Sequence, residues 1–527
     1  MVQENSRNGA QDESRNGPQA EALNFLTGLA SDDPAHPRAR RIDTHANIVI
    51  LVGSKAYKVK RAVRFPFLDY STLSLREEAC KAEITCNRPN APQIYRRALP
   101  ITREAAGGLA LDGSGEPIEW AVEMNRFERR DELDVMAAES PLPDDLSDRL
   151  ADMMVAAHDT APLRDGAGFH RELASYVDQN EAAFLEHPDL FPAGDVRHLT
   201  ETSRFVLADL QELIVRRGTQ GLVRRCHGDA HLRNIVLIDG APVLFDAVEF
   251  SDAIATGDIL YDLAFLLMDL WERGQPGAAN RVFNRYLDAS RLDSHPEGLA
   301  ALPFYLMMRA AIRSKIAASA ALAQSDPEDK RQQQVQARAY FRHALAFLEP
   351  SSPQLVAIGG LSGTGKTTLA CALAPDLGRA PGARVLRTDV MRKRLLGIAE
   401  TETAPAEAYT PEASRRVYEV LDESVQGVLA AGYSAIYDAV FAAESERAQI
   451  GAIAARVEAG FAGLWLTAPA HVLKERVSAR ARDASDATAD VVELQLGYDL
   501  GEMTWSRIDA GNGKEETLAR ARQALNL

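Results

Sequence analysis

The chain is 527 residues long, 46% hydrophobic and 25% charged, with a formal net charge of −16. A single hydrophobic core usually stops growing at about 250–300 residues, so this length excludes a one-domain protein. The acidic balance repels phosphate backbones at long range and argues against nucleic acid as a partner. No apolar run reaches the roughly 20 residues of a membrane helix. Cys80, Cys86, Cys226 and Cys371 lack CxxC spacing, which excludes a disulfide framework or a zinc site and fits a reducing cytoplasm.

Residues 1–20 are polar and rich in Asn, Gln and Gly, without a signal-peptide core, and read as a disordered tail. A first domain is expected over 21–349. In it IVILVG and KAYKVK read as strands about a Gly-Ser turn, and LREEACKAEITCN, from Leu75, has helical spacing. EWAVEMNRF, from Glu119, reads as a further strand. Helical periods run from about Asp144 to Arg217, broken by HPDLFPAGD. The strand-rich patch LVRRCHGDAHLRNIVLIDGAPVLFDAVEF follows, and helices resume from Asp258 to about Leu348. The Pro/Ser-rich break LEPSSP then marks a boundary, and over 350–527 strands alternate with helices. That rhythm implies parallel βαβ units with helices on both faces of a sheet.

In the second region GLSGTGKT, Gly360 to Thr367, matches the phosphate-binding pattern GxxxxGK(S/T) between an apolar strand and a helical run. Gly360, Gly363 and Gly365 let backbone N–H groups curl around phosphate oxygens at a helix N-terminus. Lys366 is expected at the β- and γ-phosphates of ATP, Thr367 on Mg²⁺, and Thr368 among the nucleotide-binding residues. Asp389 follows the second strand, with Arg392 one helical turn on; an Asp there also suits a helix cap. Asp438 ends the third strand, and HVLKERVSARARD carries Arg476, Arg480 and Arg482. Over roughly Gln354 to Ile508 this region resembles the P-loop kinases related to polynucleotide kinase, zeta toxins, gluconate kinase and chloramphenicol phosphotransferase. The resemblance implies an α/β P-loop NTPase domain with a parallel sheet. It makes Asp389 the base that accepts the proton of an attacking hydroxyl and Arg392 a substrate-binding residue. By the same resemblance Asp438 lies near Mg²⁺, and Arg476 and Arg480 close over the nucleotide.

In the first region His227-Gly228-Asp229 is followed by Asn234 five residues after the Asp, then by Asp246 beyond a hairpin-like turn. The kinase loop HRDxxxxN places a base and a metal ligand at that spacing, with a second metal-binding Asp after a hairpin. The set resembles the aminoglycoside phosphotransferase and choline-kinase branch of the α+β kinase fold. The resemblance runs from about Ile42 to Leu348 and implies Asp229 as base, with Asn234 and Asp246 on Mg²⁺. His227 and Asp262 are then scaffold residues, and Glu249 either assists the metal or forms a salt bridge. The fold also needs a phosphate-binding lysine paired with a helical glutamate. Lys58 is the first choice and Lys60 the alternative; Glu83 is preferred over Glu77 and Glu78. EMNRF at Glu123 would be the hinge that meets adenine, and the glycine-rich loop of protein kinases is missing from THANIVILVG.

Together the two regions resemble a bacterial fusion of an aminoglycoside-phosphotransferase-like domain with a P-loop kinase. The expectation is a bifunctional phosphotransferase that moves the γ-phosphoryl of ATP to hydroxyls of small-molecule acceptors, one site per half. Two other readings are open: a polynucleotide 5′-kinase in the second half, or one half acting as a nucleotide-sensing regulator of the other. Neither the acceptors nor the oligomeric state is written in the sequence.

Overall fold

The computed structural model describes residues 18–65, 68–290, 296–479 and 484–527. The tail expected over 1–20 lies outside the described residues up to 17, while Pro18–Thr27 is a helix. Gln19 in its first turn is buried and donates to the Lys60 carbonyl and to Glu119 Oε2, each at 2.9 Å, so residues 18–20 are part of the fold and not of the tail. Arg480 and Arg482 lie outside the described residues. Among the described residues no helix is long and apolar enough to cross a membrane.

The chain divides into two compact units. One comprises the residues up to Leu142 with Met153–Glu172 and Ile214–Leu266; the other comprises Pro143–Asp152, Leu173–Leu213 and Leu267–Leu527. The Pro/Ser break near residue 350 therefore lies inside the second unit.

The first unit is built on an antiparallel sheet of six strands, in the order 40–43, 47–52, 55–60, 116–125, 95–103, 109–111. Helix Leu73–Asn87 starts where the Thr72 hydroxyl accepts the Leu75 N–H, a standard N-cap. Its buried stripe is Arg76, Ala79, Cys80, Glu83 and Asn87, a 3.6-residue period that carries two charged groups inward. Cys80 packs in one cluster with Ala56, Val122, Met124 and Val243, so this helix is clamped between the sheet and the hairpin 235–244. Strand Val223–Arg225 pairs with Thr256–Asp258 and leads straight into His227-Gly228-Asp229. Arg217 locks that pairing: its Nη2 donates to Asp258 Oδ1 at 2.8 Å, with both side chains fully buried.

In the second unit the five strands 384–387, 435–438, 354–360, 460–467 and 506–509 form, in that spatial order, one parallel sheet. The α+β first region and the α/β second region are thus the fold classes expected. Val356, Ile358, Leu369, Val385, Ile436 and Leu464 fill one core, which sets the strand ends in line and brings their following loops to one edge.

Breaking a buried pair by removing one partner leaves an uncompensated charge, at a cost of about 3–5 kcal/mol. Arg217→Met should therefore destabilise the first unit by about that amount. Calorimetric unfolding checks this, and a melting temperature within a degree of wild type would contradict it.

Candidate active sites

In the first unit the strand Lys55–Lys60 alternates its side chains, so Lys58 and Lys60 share a face. Helix 73–87 presents Glu83 to both. Lys58 Nζ lies 2.8 Å from Glu83 Oε1 and 2.6 Å from Asp246 Oδ1. Lys60 Nζ lies 2.6 Å from Glu83 Oε2 and also pairs with Glu249, which accepts the Tyr70 hydroxyl at 2.9 Å. Of the candidate glutamates, then, Glu83 meets the lysines, whereas Glu77 pairs with Lys81 at 2.5 Å on the helix surface. Of the two lysines, Lys58 reaches Asp246, and Glu249 is a salt-bridge partner of Lys60.

Burial opposes the charge on Lys58, but the carboxylates of Asp246 and Glu83 outweigh it and hold its pKa well above the usual lysine value. Lys60 is raised in the same way by Glu83 and Glu249 against its burial. Burial would favour neutral Glu83, yet the two ammonium groups keep its pKa below the ordinary carboxylate value.

The loop carrying Asp229 is held from beneath. Asp262 accepts the Gly228 N–H at 2.8 Å and the His227 N–H at 3.2 Å, and lies 3.2 Å from His158 Nε2. His227 Nε2 lies 2.9 Å from the Phe245 carbonyl, and burial lowers its pKa, which keeps the ring neutral. Both residues thus occupy the scaffold positions expected of them. Asn234 Nδ2 donates at 3.0 Å to both the carbonyl and Oδ2 of Asp229, which leaves the amide oxygen outside these two bonds. Asp246 sits at φ +64°, a conformation costly for a non-glycine residue. It is fixed there because its N–H donates to Tyr95 Oη at 3.2 Å and the next N–H, of Ala247, to Asn87 Oδ1 at 2.7 Å. The side chains of Asp229 and Asp246 remain 40% and 43% exposed, so the two carboxylates are accessible, while Asn234 beside them is buried. An all-oxygen set suits a hard cation such as Mg²⁺. Glu123 on the expected hinge strand is buried and pairs with Lys55 at 3.0 Å and Arg97 at 2.9 Å.

In the second unit strand Gln354–Gly360 runs into the phosphate-type loop, and Gly365, at φ +90°, caps helix Lys366–Leu373. A Cβ on Gly360 would come within 2.7 Å of the Leu466 carbonyl, and one on Gly363 within 2.6 Å of the Leu473 carbonyl, so backbone crowding demands glycine at both. Lys366 Nζ donates to the carbonyls of Gly360 at 2.8 Å and Leu361 at 3.2 Å, folded back across the loop. Thr367 Oγ1 donates to Asp438 Oδ2 at 2.5 Å, bringing the two expected Mg²⁺ ligands together, while Thr368 is exposed on the first turn. Arg387 Nε lies 4.0 Å from the same Asp438 oxygen.

Asp389 is the second residue of helix Thr388–Leu396, whose cap position is Arg387, so the capping role is not its own. Burial pushes its pKa up and the Asp438 charge adds to this, against Lys366 and a hydrogen bond with Ser485. Arg392 is buried: Nη1 donates to the Ala408 carbonyl at 2.5 Å and to Ser414 Oγ at 3.3 Å, and its guanidinium lies 4.7 Å from the Tyr409 ring centroid. Arg476 donates to the Ala510 carbonyl at 2.8 Å, beyond the end of the fifth strand. Two residues escaped the sequence reading. Asp486 accepts from Lys393 Nζ at 2.9 Å, the Ala404 N–H at 3.0 Å and the Tyr409 hydroxyl at 2.6 Å, and Gln495 Oε1 accepts the Ser362 N–H at 2.7 Å. Asp486 lies in the polar stretch DASDAT, but nothing in that stretch signals its partners, all of which come from 393–409.

Residues 49–302 match the model of the phosphotransferase enzyme family, APH, and residues 355–498 match an AAA domain model. The chain joins an APH kinase-like domain to a P-loop kinase domain. An uncharacterized protein of Mycobacterium tuberculosis is 28% identical over 490 residues, which is 91% of this chain and 94% of that protein. A choline/ethanolamine kinase family protein from Mesorhizobium loti is 16% identical with a TM-score of 0.37, covering 63% of this chain and 99% of its own. A gluconokinase from Sinorhizobium meliloti is 22% identical with a TM-score of 0.23, covering 33% of this chain and 95% of its own.

The folded pKa of Glu83 lies below its unfolded value. Its stabilising contribution is therefore complete above the ordinary carboxylate range and is lost as pH falls through the folded pKa. Glu83→Gln should lower the melting temperature at pH 7 and flatten its decline below about pH 5. Melting curves across that range check this; a variant with the wild-type acid decline would contradict it.

Proposed function

We propose that both domains are ATP- and Mg²⁺-dependent phosphotransferases whose acceptors are hydroxyl groups of small molecules. The observation that carries this reading is the pairing, in each domain, of a carboxylate with a lysine and an oxygen-ligand set. Asp229 is coupled to Asn234 while Lys58 holds Asp246; in the other domain Asp389 feels the charges of Asp438 and Lys366 beside the bonded Thr367. Phosphoryl transfer asks a protein chiefly for such positioning and charge.

In the APH domain Asp229 takes the proton of the attacking hydroxyl, and Lys58, oriented by Glu83, binds the phosphates. Asn234 and Asp246 hold the metal. In the P-loop domain Asp389 is the base, Lys366 and the N–H groups of Gly363, Gly365, Lys366 and Thr367 hold the phosphates, and Thr367 with Asp438 would hold the metal. In this reading Arg392 serves the acceptor and Arg476 the nucleotide, and each would have to exchange a protein partner, Ala408 and Ser414 or Ala510, to do so. Bound Mg²⁺ would neutralise charge on the β- and γ-phosphate oxygens. Cys80, Cys86, Cys226 and Cys371 form no disulfide with one another, in keeping with a reducing, ATP-rich cytoplasm.

The test uses the full-length chain with ATP, Mg²⁺ and a metabolite extract, with phosphorylated products identified by mass spectrometry. Removing a positioned general base costs about 10²–10⁴-fold. Asp229→Asn should lose one set of products and Asp389→Asn the other, each by about that factor. Retention of every product by both single variants would reject the assignment.

The raised pKa of Asp389 adds a pH signature. The base works only when deprotonated, so activity at that site should fall with decreasing pH through a value above the usual aspartate range. An acid limb at or below the ordinary aspartate pKa, in a chain carrying Asp229→Asn, would contradict this.

A further inference from the structure

Among the described residues of the five-stranded sheet, strand Arg384–Arg387 has a neighbour on one side only, strand 435–438. An edge strand leaves a row of backbone N–H and C=O groups without a ladder. Here a helix faces that row: Pro276–Ala289, whose residues lie inside the stretch matched to the APH family. Asn284 Oδ1 accepts the Val385 N–H at 2.8 Å, and Asn284 Nδ2 donates to the Ala383 carbonyl at 3.1 Å. Asn280 Nδ2 donates to that carbonyl too, at 3.0 Å. One side-chain amide thus makes the donor and acceptor bonds that a sixth strand would have made.

The same helix takes up the strand's buried charge. Arg384, 1% exposed, donates to Asn284 Oδ1 at 3.1 Å and the Asn284 carbonyl at 3.2 Å, and pairs with Asp288. Gly382 makes the approach possible, because a Cβ there would meet Asn280 Nδ2 at 2.8 Å and the Ala374 carbonyl at 2.4 Å. Beyond the Asp389 helix, Arg285 Nη1 reaches Glu400 Oε1 at 3.2 Å, and the Glu400 carbonyl accepts from Lys393 of that helix at 2.9 Å. Helix 276–289 therefore holds the segment that carries Asp389 before its first residue and after its last.

We propose that helix 276–289 is a working part of the P-loop site, with Asn284 as the positioning residue that sets the strand leading to Asp389. The phosphate-binding loop grows from the central strand 354–360, two strands away. Loss of Asn284 should accordingly displace the base and leave the nucleotide cradle in place. It follows that a cut at the break near residue 350 removes part of the P-loop site's own framework. The proposal rests on the reading of Asp389 as a base, and the first measurement below is independent of that reading.

Amide hydrogen exchange of the full chain reads the edge directly. Asn284→Ala should raise exchange in peptides spanning 383–390 while peptides spanning 354–360 stay protected. Asn284→Asp keeps an acceptor oxygen for Val385 and Arg384, and should restore most of the protection. Unchanged exchange at 383–390 in Asn284→Ala, or equal loss in both variants, overturns the proposal. The second measurement is ATP hydrolysis, with water as acceptor, in chains that also carry Asp229→Asn. Misplacing a reacting group by about 1 Å can cost about 100-fold. The kcat of Asn284→Ala should fall about 10- to 100-fold, with KM for ATP within about twofold of its parent. A fall in kcat matched by a rise in KM would mean a general loosening of the domain and would overturn positioning. If Asn284→Ala does not fold, Asp288→Asn weakens the hold on Arg384 alone. Its exchange at 383–390 should rise, and wild-type exchange there would reject the clamp.

Discussion

An ammonium group taken out of water must find a carboxylate, and two ammonium groups on one strand must find enough of them. Lys58 and Lys60 are both buried on strand 55–60, and Glu83 spends one oxygen on each. The geometry around Asp229 and Asp246 depends on that division. Lys60, closed off by Glu249 and Tyr70, stays inside the wall. Lys58 has room for one more partner and takes Asp246, the carboxylate that follows the hairpin. A pair at the edge of the site is the result, with Asp246 still partly exposed.

The P-loop domain meets the same electrostatic demand with backbone in place of buried carboxylates. Lys366 rests on two main-chain carbonyls, and the crowding at Gly360 and Gly363 brings the loop close to the carbonyls of Leu466 and Leu473. Charge of the opposite sign is gathered at Asp438 and Asp389, and the mutual repulsion of these two contributes to the raised pKa of Asp389. Asp229 is thus flanked by an amide, whereas Asp389 sits in a drier, more acidic corner.

The parts of the sites that are contiguous in sequence were legible. GLSGTGKT announces itself because crowding, turn geometry and helix start fall within eight residues. Asp229, Asn234 and Asp246 are separated only by a loop and a hairpin, so their spacing survives folding as a recognisable set. The choice among Glu77, Glu78 and Glu83 is a different matter, since all three are on one helix and only its rotation against the sheet selects Glu83. Arg392 was visible as a charge near Asp389, but its engagement with Ala408 and Ser414 depends on how a later loop folds back.

By itself, then, the sequence determined the two fold classes, the order of the two domains and the local phosphate and catalytic-loop motifs. These rest on periodicity and on interactions within a turn or two of chain. The tertiary structure alone decided that Lys58 and Lys60 share Glu83, that Gln19 belongs to the fold, and that Asn284 closes the sheet edge some hundred residues downstream. Each of these is a polar group satisfied by a partner remote in sequence. Burial creates the need for such a partner, and only the packed chain settles which group supplies it.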